Sequence, residues 1–441
     1  MFGRINVGIL GTGNIAETMA ATIRTVPGVN AYAVASRTQF KADAFADQHG
    51  FKKAYGSYEE LLRDRKVHLV YIATPHSEHY ANMRLCLDYG KAVLCEKAFT
   101  INLRQAEDIF RIAEEKKIFV AEAMWVRFMP MLQTMQDIIA SNAIGEPKMM
   151  VANLGYNVSQ VKRVVDPSLG GGALLDLGVY TLNFASMLFG NDIVNISTSC
   201  SFNTETGVDM EDSITLRYRD GKMACLSATA NAVSDRRGVI YGTKGYMVVE
   251  NINNFESAAV YDYKHERISF TKRPRQKTGY EYELKACVRA LKNGWLECPE
   301  MPHRQTLSIM HQMDTIRSVW GLKYPADQEL IGQDPSFQDP SIWNMPAAPA
   351  PGLITASEPL SEPVAAAPEV SAAAGDGGRK EEQEDPSESS IEKSLRELLF
   401  PDDPDTQVVM VEGLDGNDSS DDDDDDGAED ESGPDEDGDD E

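Results

Sequence analysis

The sequence predicts an α/β doubly wound parallel sheet, then an α+β domain with a large, mostly antiparallel open sheet, then a tail without a core. Three observations carry this. Through residue 123, short apolar runs alternate with helical patterns. After about residue 125 the chain changes to strands separated by hairpin-type turn signals. Beyond about residue 328 it becomes Pro/Ala-rich and then acidic. The expected domains are 1–123, 124–328 and 329–441.

The first-domain strands read as "INVGIL" (5–10), "AYAVAS" (31–36), "HLVYIAT" (68–74), "AVLCE" (92–96) and "IFVAEA" (118–123). They are continuously apolar, as suits strands buried on both faces. Helical patterns at 39–48, 58–64, 78–89 and 102–116 lie between them. That alternation implies right-handed crossovers and a parallel sheet.

A helix near 130–142 and a strand at 148–156 open the second domain. An amphipathic helix is expected within 170–190, starting just past three glycines. From 193 to about 271 the breaks "RDGK" and "GTKG" favour hairpins. Helices near 279–293 and 303–321 close the body.

Net charge is −28, but 34 of the 70 acidic residues and 4 of the 42 basic ones fall in 331–441, leaving 36 acids against 38 bases before them. The acidity belongs to the tail, which is expected to be disordered. One stretch there, 389–403, puts Ile391, Leu395, Leu398 and Leu399 on one helical face behind Ser389 or Ser390. It reads either as a transient helix or as one that folds on an unknown partner.

Six scattered cysteines form no C-x-x-C pair, so neither a disulfide framework nor a zinc site is expected. "MFGRINVGIL" lacks the features of a signal peptide. No run approaches the ~18 consecutive apolar residues of a membrane span. The expectation is a cytoplasmic protein with no membrane contact. The basic run "TKRPRQK" (271–277) has no interleaved aromatics. It is expected to be a solvated loop near a substrate mouth, not a nucleic-acid site.

In "GILGTGNIA", Gly11-x-Gly13-x-x-Ala16 follows a strand and opens a helix. Gly11 permits the tight turn and Gly13 lets a pyrophosphate approach the backbone. Ala16 allows close packing of the helix on the strand, and the amides of Gly11, Thr12, Gly13, Asn14 and Ile15 lie where phosphates bind. The second strand ends "VASRT" and offers Ser36, Arg37 and Thr38, with Lys41 one turn on, where an acidic residue would read a free ribose 2′-hydroxyl. A hydroxyl and a guanidinium suit a 2′-phosphate. NADP is therefore expected, with NAD possible.

Glu96 and Lys97 stand at the carboxyl end of "AVLCE", the edge where ligands bind open α/β sheets. A lysine there can stabilise a developing alkoxide, and Glu96 can orient it. Asp176 and Tyr180 are four apart and share a helix face. A cation beside the phenol is expected to lower its pKa from about 10 toward working pH. His76 and His79 make H-x-x-H, but no nearby cluster completes a metal site, so no metal is expected. Cys95 reads as a small core residue.

These segments, with "AYGSYEELL", "YIATPHSEHY", "GKAVLCEKA", "EAMWVRFMP", "GGALLDLGVY" and "GTKG", span about residues 5–325. Together they resemble the glucose-fructose oxidoreductase/inositol dehydrogenase/MocA family. Within it the chain is most similar to the dimeric dihydrodiol dehydrogenase group, which includes NADP-dependent D-xylose 1-dehydrogenases. The resemblance implies a hydride-transferring oxidoreductase acting on a sugar or vicinal diol, and a homodimer or higher homo-oligomer assembled through the open sheet. It makes Lys97 the family's catalytic lysine, Tyr180 the general acid/base and Asp176 the acid that organises the site. It places Thr74, Pro75 and His79 beside the cofactor, with Trp125 and Arg127 near the nicotinamide.

One position departs from the pattern: the motif's proline is Ala98. That proline is often cis, a form that costs a non-proline residue roughly 3–4 kcal/mol. A trans peptide or a less rigidly placed Lys97 is therefore expected. The departure, with the tail, leaves a rival open: a cofactor-sensing interaction protein on the same fold.

Overall fold

The structure is a computed structural model and describes residues 3–328. The expected tail, with the 391–399 helix, lies outside the described residues.

The first layer runs β1 (Ile5–Leu10), α1 (Asn14–Ile23), β2 (Val29–Ala35), α2 (Gln39–His49), β3 (Lys53–Tyr55) and α3 (Tyr58–Arg63). It continues with β4 (Leu69–Ile72), α4 (His76–Asp88), β5 (Ala92–Glu96), α5 (Leu103–Lys116) and β6 (Val120–Ala123). The six strands are all parallel, in the order β3-β2-β1-β4-β5-β6. The order reverses between β1 and β4, and the carboxyl ends of those strands frame a crevice. Strands β4 and β5 are buried along their whole length, which accounts for their unbroken apolar runs. Helix ends are set locally. The Ser57 side chain accepts from the Glu60 amide at 3.3 Å, Asn102 accepts from Gln105 at 3.0 Å, and α2 stops at left-handed Gly50.

A 3-10 turn (Trp125–Phe128) and α6 (Pro130–Ala140) lead into the second layer. It holds β7 (Pro147–Gly155), α7 (Lys162–Val165) and α8 (Val179–Phe189), then β8 (Ile193–Phe202), β9 (Asp209–Tyr218), β10 (Met223–Thr229) and β11 (Gly238–Gly242). The sheet is completed by β12 (Gly245–Glu250), β13 (Ser257–Asp262) and β14 (Arg267–Lys272). The eight strands order as β14-β13-β12-β11-β7-β10-β9-β8, with one parallel pair, β7 with β10. One face of this sheet packs on α8 through Met150, Leu154, Leu226 and Ile240, all 2 % exposed or less. The other face is open and carries Tyr241, Ile268 and Phe270.

One reading from sequence changes here. The helix within 170–190 is not amphipathic: every residue from Leu174 to Met187 is buried. It begins as a π-helical turn, Leu174–Gly178. Pro167–Phe189 is in fact apolar and long enough to cross a bilayer by length and composition, but 94 % of its apolar 18-residue window is buried inside the protein, as a core helix would be. The closing helices are α9 (Glu281–Asn293) and α10 (His303–Trp320), and α10 reaches the first layer as well as the second. His303 stacks on Phe110 of α5 at 4.0 Å, and its Nε2 bonds the Val120 carbonyl at 2.9 Å. Gln305 donates to Ser186 of α8 at 2.5 Å, so α10 bridges both sheets.

Candidate active site

The crevice begins at the β1–α1 turn. Gly11 has φ +104°, and a Cβ there would sit 2.6 Å from the Ala73 carbonyl. Gly13 starts α1 with no side-chain cap, and a Cβ on it would meet nothing within 4 Å. The first amides of a helix have no internal acceptors. Gly13 and Asn14 are exposed, with Thr12 and Ile15 half-buried. An uncapped helix start facing open space fits a dinucleotide's pyrophosphate. Ser36 is buried at the end of β2, while Arg37 and Lys41 are exposed beside it.

At the end of β5, the Lys97–Ala98 peptide is cis although it lacks proline, which corrects the expected trans bond. Nor is the lysine loosely placed. Its Nζ donates to the Asp176 carbonyl at 2.7 Å and to Asp176 Oδ1 at 2.9 Å. Asp176 thus fixes the ammonium, not Glu96 as the sequence suggested. The Glu96 carboxylate turns inward. It accepts from the Tyr71 hydroxyl and from the Lys97 amide at 3.2 Å. Burial pushes its pKa up to about 7, against the pull of Tyr71 and Lys97. Beside it, fully buried Glu283 of α9 has no hydrogen-bond partner for either carboxyl oxygen, and burial and Glu96 hold its pKa well above the usual range.

Asp176 Oδ1 also pairs with Arg163 of α7 at 2.9 Å. Burial alone would raise the Asp176 pKa, but the Lys97 and Arg163 cations outweigh it and hold the carboxyl well below the ordinary range. Two buried groups position this segment. The Asp209 side chain on β9 accepts from the Leu174 amide at 2.6 Å, and the Tyr324 hydroxyl donates to the Gly171 carbonyl.

Tyr180 lies one turn beyond Asp176. Its hydroxyl accepts from Trp125 Nε1 at 3.0 Å, and Lys97 Nζ stands 5.0 Å from its ring centroid. The expected lowering of its pKa does not occur. Burial, and then the Glu96 charge, push it well above 10. The cation sits over the ring instead of at the hydroxyl, and Asp176 balances its charge. The phenol is neutral, a proton donor at rest.

Trp125 stacks on Tyr280 at 4.3 Å with a 5° interplanar angle. Arg127 lies behind this wall. It donates to Asn183 Oδ1 at 2.8 Å, and burial lowers its pKa to about 10 against the pull of Glu122. His79 is 0 % exposed. Its Nδ1 lies 2.9 Å from the Ala98 carbonyl and its Nε2 2.9 Å from the Thr74 carbonyl. It therefore ties the Thr74–Pro75 turn to the cis peptide and has no surface to offer a cofactor. His76 Nδ1 donates to the Gly170 carbonyl at 2.9 Å, and burial and the Lys97 charge lower its pKa to about 3. Among the described residues no group of three His, Cys, Asp or Glu is arranged to hold a metal.

Sequence reasoning missed Arg163, Tyr280, Glu283 and the place of His76 in this centre. No local signal marks them, because they reach the site from three separate elements, α7, α4 and the start of α9.

Two family models match the chain: "Oxidoreductase family, NAD-binding Rossmann fold" over residues 5–123, and "GFO/IDH/MocA C-terminal domain" over 132–248. Trans-1,2-dihydrobenzene-1,2-diol dehydrogenase of Xenopus tropicalis is 33% identical over 325 residues, covering 72% of this chain and 98% of that one. The Homo sapiens enzyme of the same name is 31% identical over 328 residues, covering 73% and 98%. A 3-ketoreductase from Actinomadura kijaniata, solved with TDP-benzene and NADP, superposes with a TM-score of 0.65 at 23% identity, covering 71% of this chain and 97% of that one. Levoglucosan dehydrogenase with NADH and levoglucosan gives 0.64 at 18% identity, covering 71% and 96%.

Proposed function

We propose that this chain, which belongs to the GFO/IDH/MocA oxidoreductase family, is an NADP-dependent dehydrogenase of a sugar or vicinal diol. The carrying observation is the joining of Lys97, Asp176 and Tyr180 at the carboxyl edge of the first sheet, Lys97 Nζ lying 2.9 Å from Asp176 Oδ1 and 5.0 Å from the Tyr180 ring. A nicotinamide held there would supply hydride exchange with the carbon that bears the reacting oxygen. Lys97 steadies negative charge on that oxygen. In the reducing direction the neutral Tyr180 hydroxyl gives it a proton and is left as phenolate; the oxidising direction starts from that phenolate, which takes the proton from the substrate hydroxyl. Asp176 holds Lys97 and orients the substrate hydroxyls. Gly11 to Ile15 hold the pyrophosphate, and Trp125 and Tyr280 wall the site. The open face of the second sheet, with Tyr246 stacked on Tyr261 at 5.0 Å, is the surface we assign to a homodimer.

The direct test titrates NADP⁺ and NAD⁺ separately by thermal shift. Pentoses, hexoses, inositols and cyclic diols are then added while reduced-cofactor absorbance is followed. Binding with turnover supports the reading; failure of both nucleotides to bind sinks it. Tight NADP⁺ binding without turnover anywhere would favour the sensing protein. The NADP preference rests on Arg37. Arg37→Ala is expected to weaken NADP⁺ binding about 10- to 100-fold and to change NAD⁺ binding little. Equal losses for both would remove Arg37 from the 2′-phosphate.

Glu96 gives the site a pH dependence. As pH rises through about 7 it ionises, and its charge raises the Tyr180 pKa further. The phenol then becomes a poorer donor, so carbonyl reduction is expected to slow above that pH. Glu96→Gln keeps an acceptor for Tyr71 and should flatten this limb of the pH–rate profile. An unchanged limb in the variant would assign the inflection to another group.

A further inference from the structure

Two arginines, Arg236 and Arg273, stand around the 251–256 loop without an ion-pair partner among the described residues. Arg236 Nη1 donates to the Tyr156 hydroxyl at 3.0 Å, and its guanidinium lies 5.3 Å from that ring's centroid. Asn253 bonds the same hydroxyl, with Nδ2 at 3.1 Å. Arg273 Nη1 donates to the Asn254 carbonyl at 2.8 Å and to its Oδ1 at 2.6 Å. The 251–256 loop thus joins both arginines. From Arg273 the chain runs through Gln276, which also donates to Asn254 Oδ1 at 2.9 Å, to Tyr280, the residue stacked on Trp125. Trp125 in turn donates to Tyr180. A chain of hydrogen bonds and ring contacts therefore links the two guanidinium groups to the reacting centre.

Among the described residues neither arginine has a carboxylate partner, and the acids nearest them in sequence are engaged elsewhere. Asp235 accepts from Asn153 at 2.7 Å and Glu250 pairs with Arg237 at 2.9 Å. Glu256 accepts from Asn251 at 2.9 Å, and Glu281 is taken up by the amides of Lys277, Thr278 and Gly279. Arg236 and Arg273 are each only partly exposed. A half-buried guanidinium bonded only to neutral partners keeps donors for a planar or tetrahedral anion. Closer in, Lys97 and Arg163 share the single carboxylate of Asp176.

We propose that the substrate is an anionic polyol, whose carboxylate or phosphate group, remote from the reacting carbon, is received by Arg236 and Arg273. This rests on the oxidoreductase reading above and narrows its substrate class. The hydroxyls at the other end of the molecule meet Asp176, Lys97 and Tyr180, while the aromatic wall covers the carbon face between.

The test compares glucose, glucuronate and glucose 6-phosphate on the full chain with NADP⁺. At least one anionic member is expected to exceed the neutral sugar in kcat/KM by about 10- to 100-fold. That advantage should shrink with added salt. Whether glucuronate or the phosphate ester leads identifies the anion. The Arg236→Gln/Arg273→Gln double variant should bring the anionic-to-neutral ratio to about one. Both substrates are measured on one preparation, so partial misfolding cancels from the ratio. A neutral sugar that matches the anions, or a ratio that survives the double variant, overturns the proposal. If none of the three turns over, calorimetric titration of each into the NADP⁺ complex decides: anions that bind no tighter than glucose overturn it. Failure of both nucleotides to bind is a different result, and removes the oxidoreductase reading itself.

Discussion

Tyr180→Phe is expected to turn over about 10²–10⁴-fold more slowly than the wild type, with NADP⁺ affinity nearly intact. The substitution deletes one oxygen, which accepts from Trp125 at 3.0 Å and lies one helical turn from Asp176. The ring that packs over Lys97 remains. The orphaned Trp125 N–H should cost roughly 1–3 kcal/mol of stability, too little to unfold the protein, so lost rate would report lost proton transfer. Lys97→Met belongs to the same experiment and should lose turnover over the same range. It differs in one respect. Asp176 then keeps only Arg163 as a cationic partner, so stability falls as well. Stopped-flow and steady-state rates on a responsive substrate, with nucleotide titration of each variant, separate chemistry from binding. If either variant keeps the full rate, the catalytic assignment is wrong.

The second large effect is expected from Gly172→Ala, which touches no substrate. Gly172 has φ +118°, and a Cβ there would overlap the Asp209 carboxylate and lie 2.8 Å from the Tyr324 hydroxyl. Both of those groups hold the start of the π-helical turn, Asp209 through the Leu174 amide and Tyr324 through the Gly171 carbonyl. The backbone conformation disfavours a side chain by about 1–2 kcal/mol, and the overlap adds about 1–3 kcal/mol. A loss of about 2–5 kcal/mol is expected in denaturant unfolding of the full chain. Because the same turn aims Asp176 and Tyr180, activity should fall further than the unfolded fraction explains. Wild-type stability with wild-type rate would show that the turn does not set the geometry of the site.

Much of the fold was legible because its signals are local. Continuous apolar runs marked β1, β4 and β5, and glycine-bearing turns marked the hairpins of the second sheet. What escaped notice was short or uniform. β3 is three residues, α7 is four, and the segment from Leu174 to Met187 is buried on every side, so its pattern has no polar stripe to read. The return of α10 to α5 leaves no mark in either segment, since Phe110 and His303, which stack on each other, lie far apart in the chain.

The sequence by itself determined the strand–turn–helix of Gly11 to Ala16, the placement of Lys97 at a strand end and the one-turn spacing of Asp176 and Tyr180. Backbone propensity and periodicity act over a few residues and need no distant partner. Tertiary structure alone decided which groups meet and how they titrate. It paired Lys97 with Asp176, brought Arg163 to the same oxygen and turned Glu96 inward toward Tyr71 and Glu283. It buried His79 under the cis peptide and raised the Tyr180 pKa where a lone lysine would have lowered it. A pKa is set by desolvation and by charges from separate elements, and those distances exist only once the two sheets and α9 have packed together.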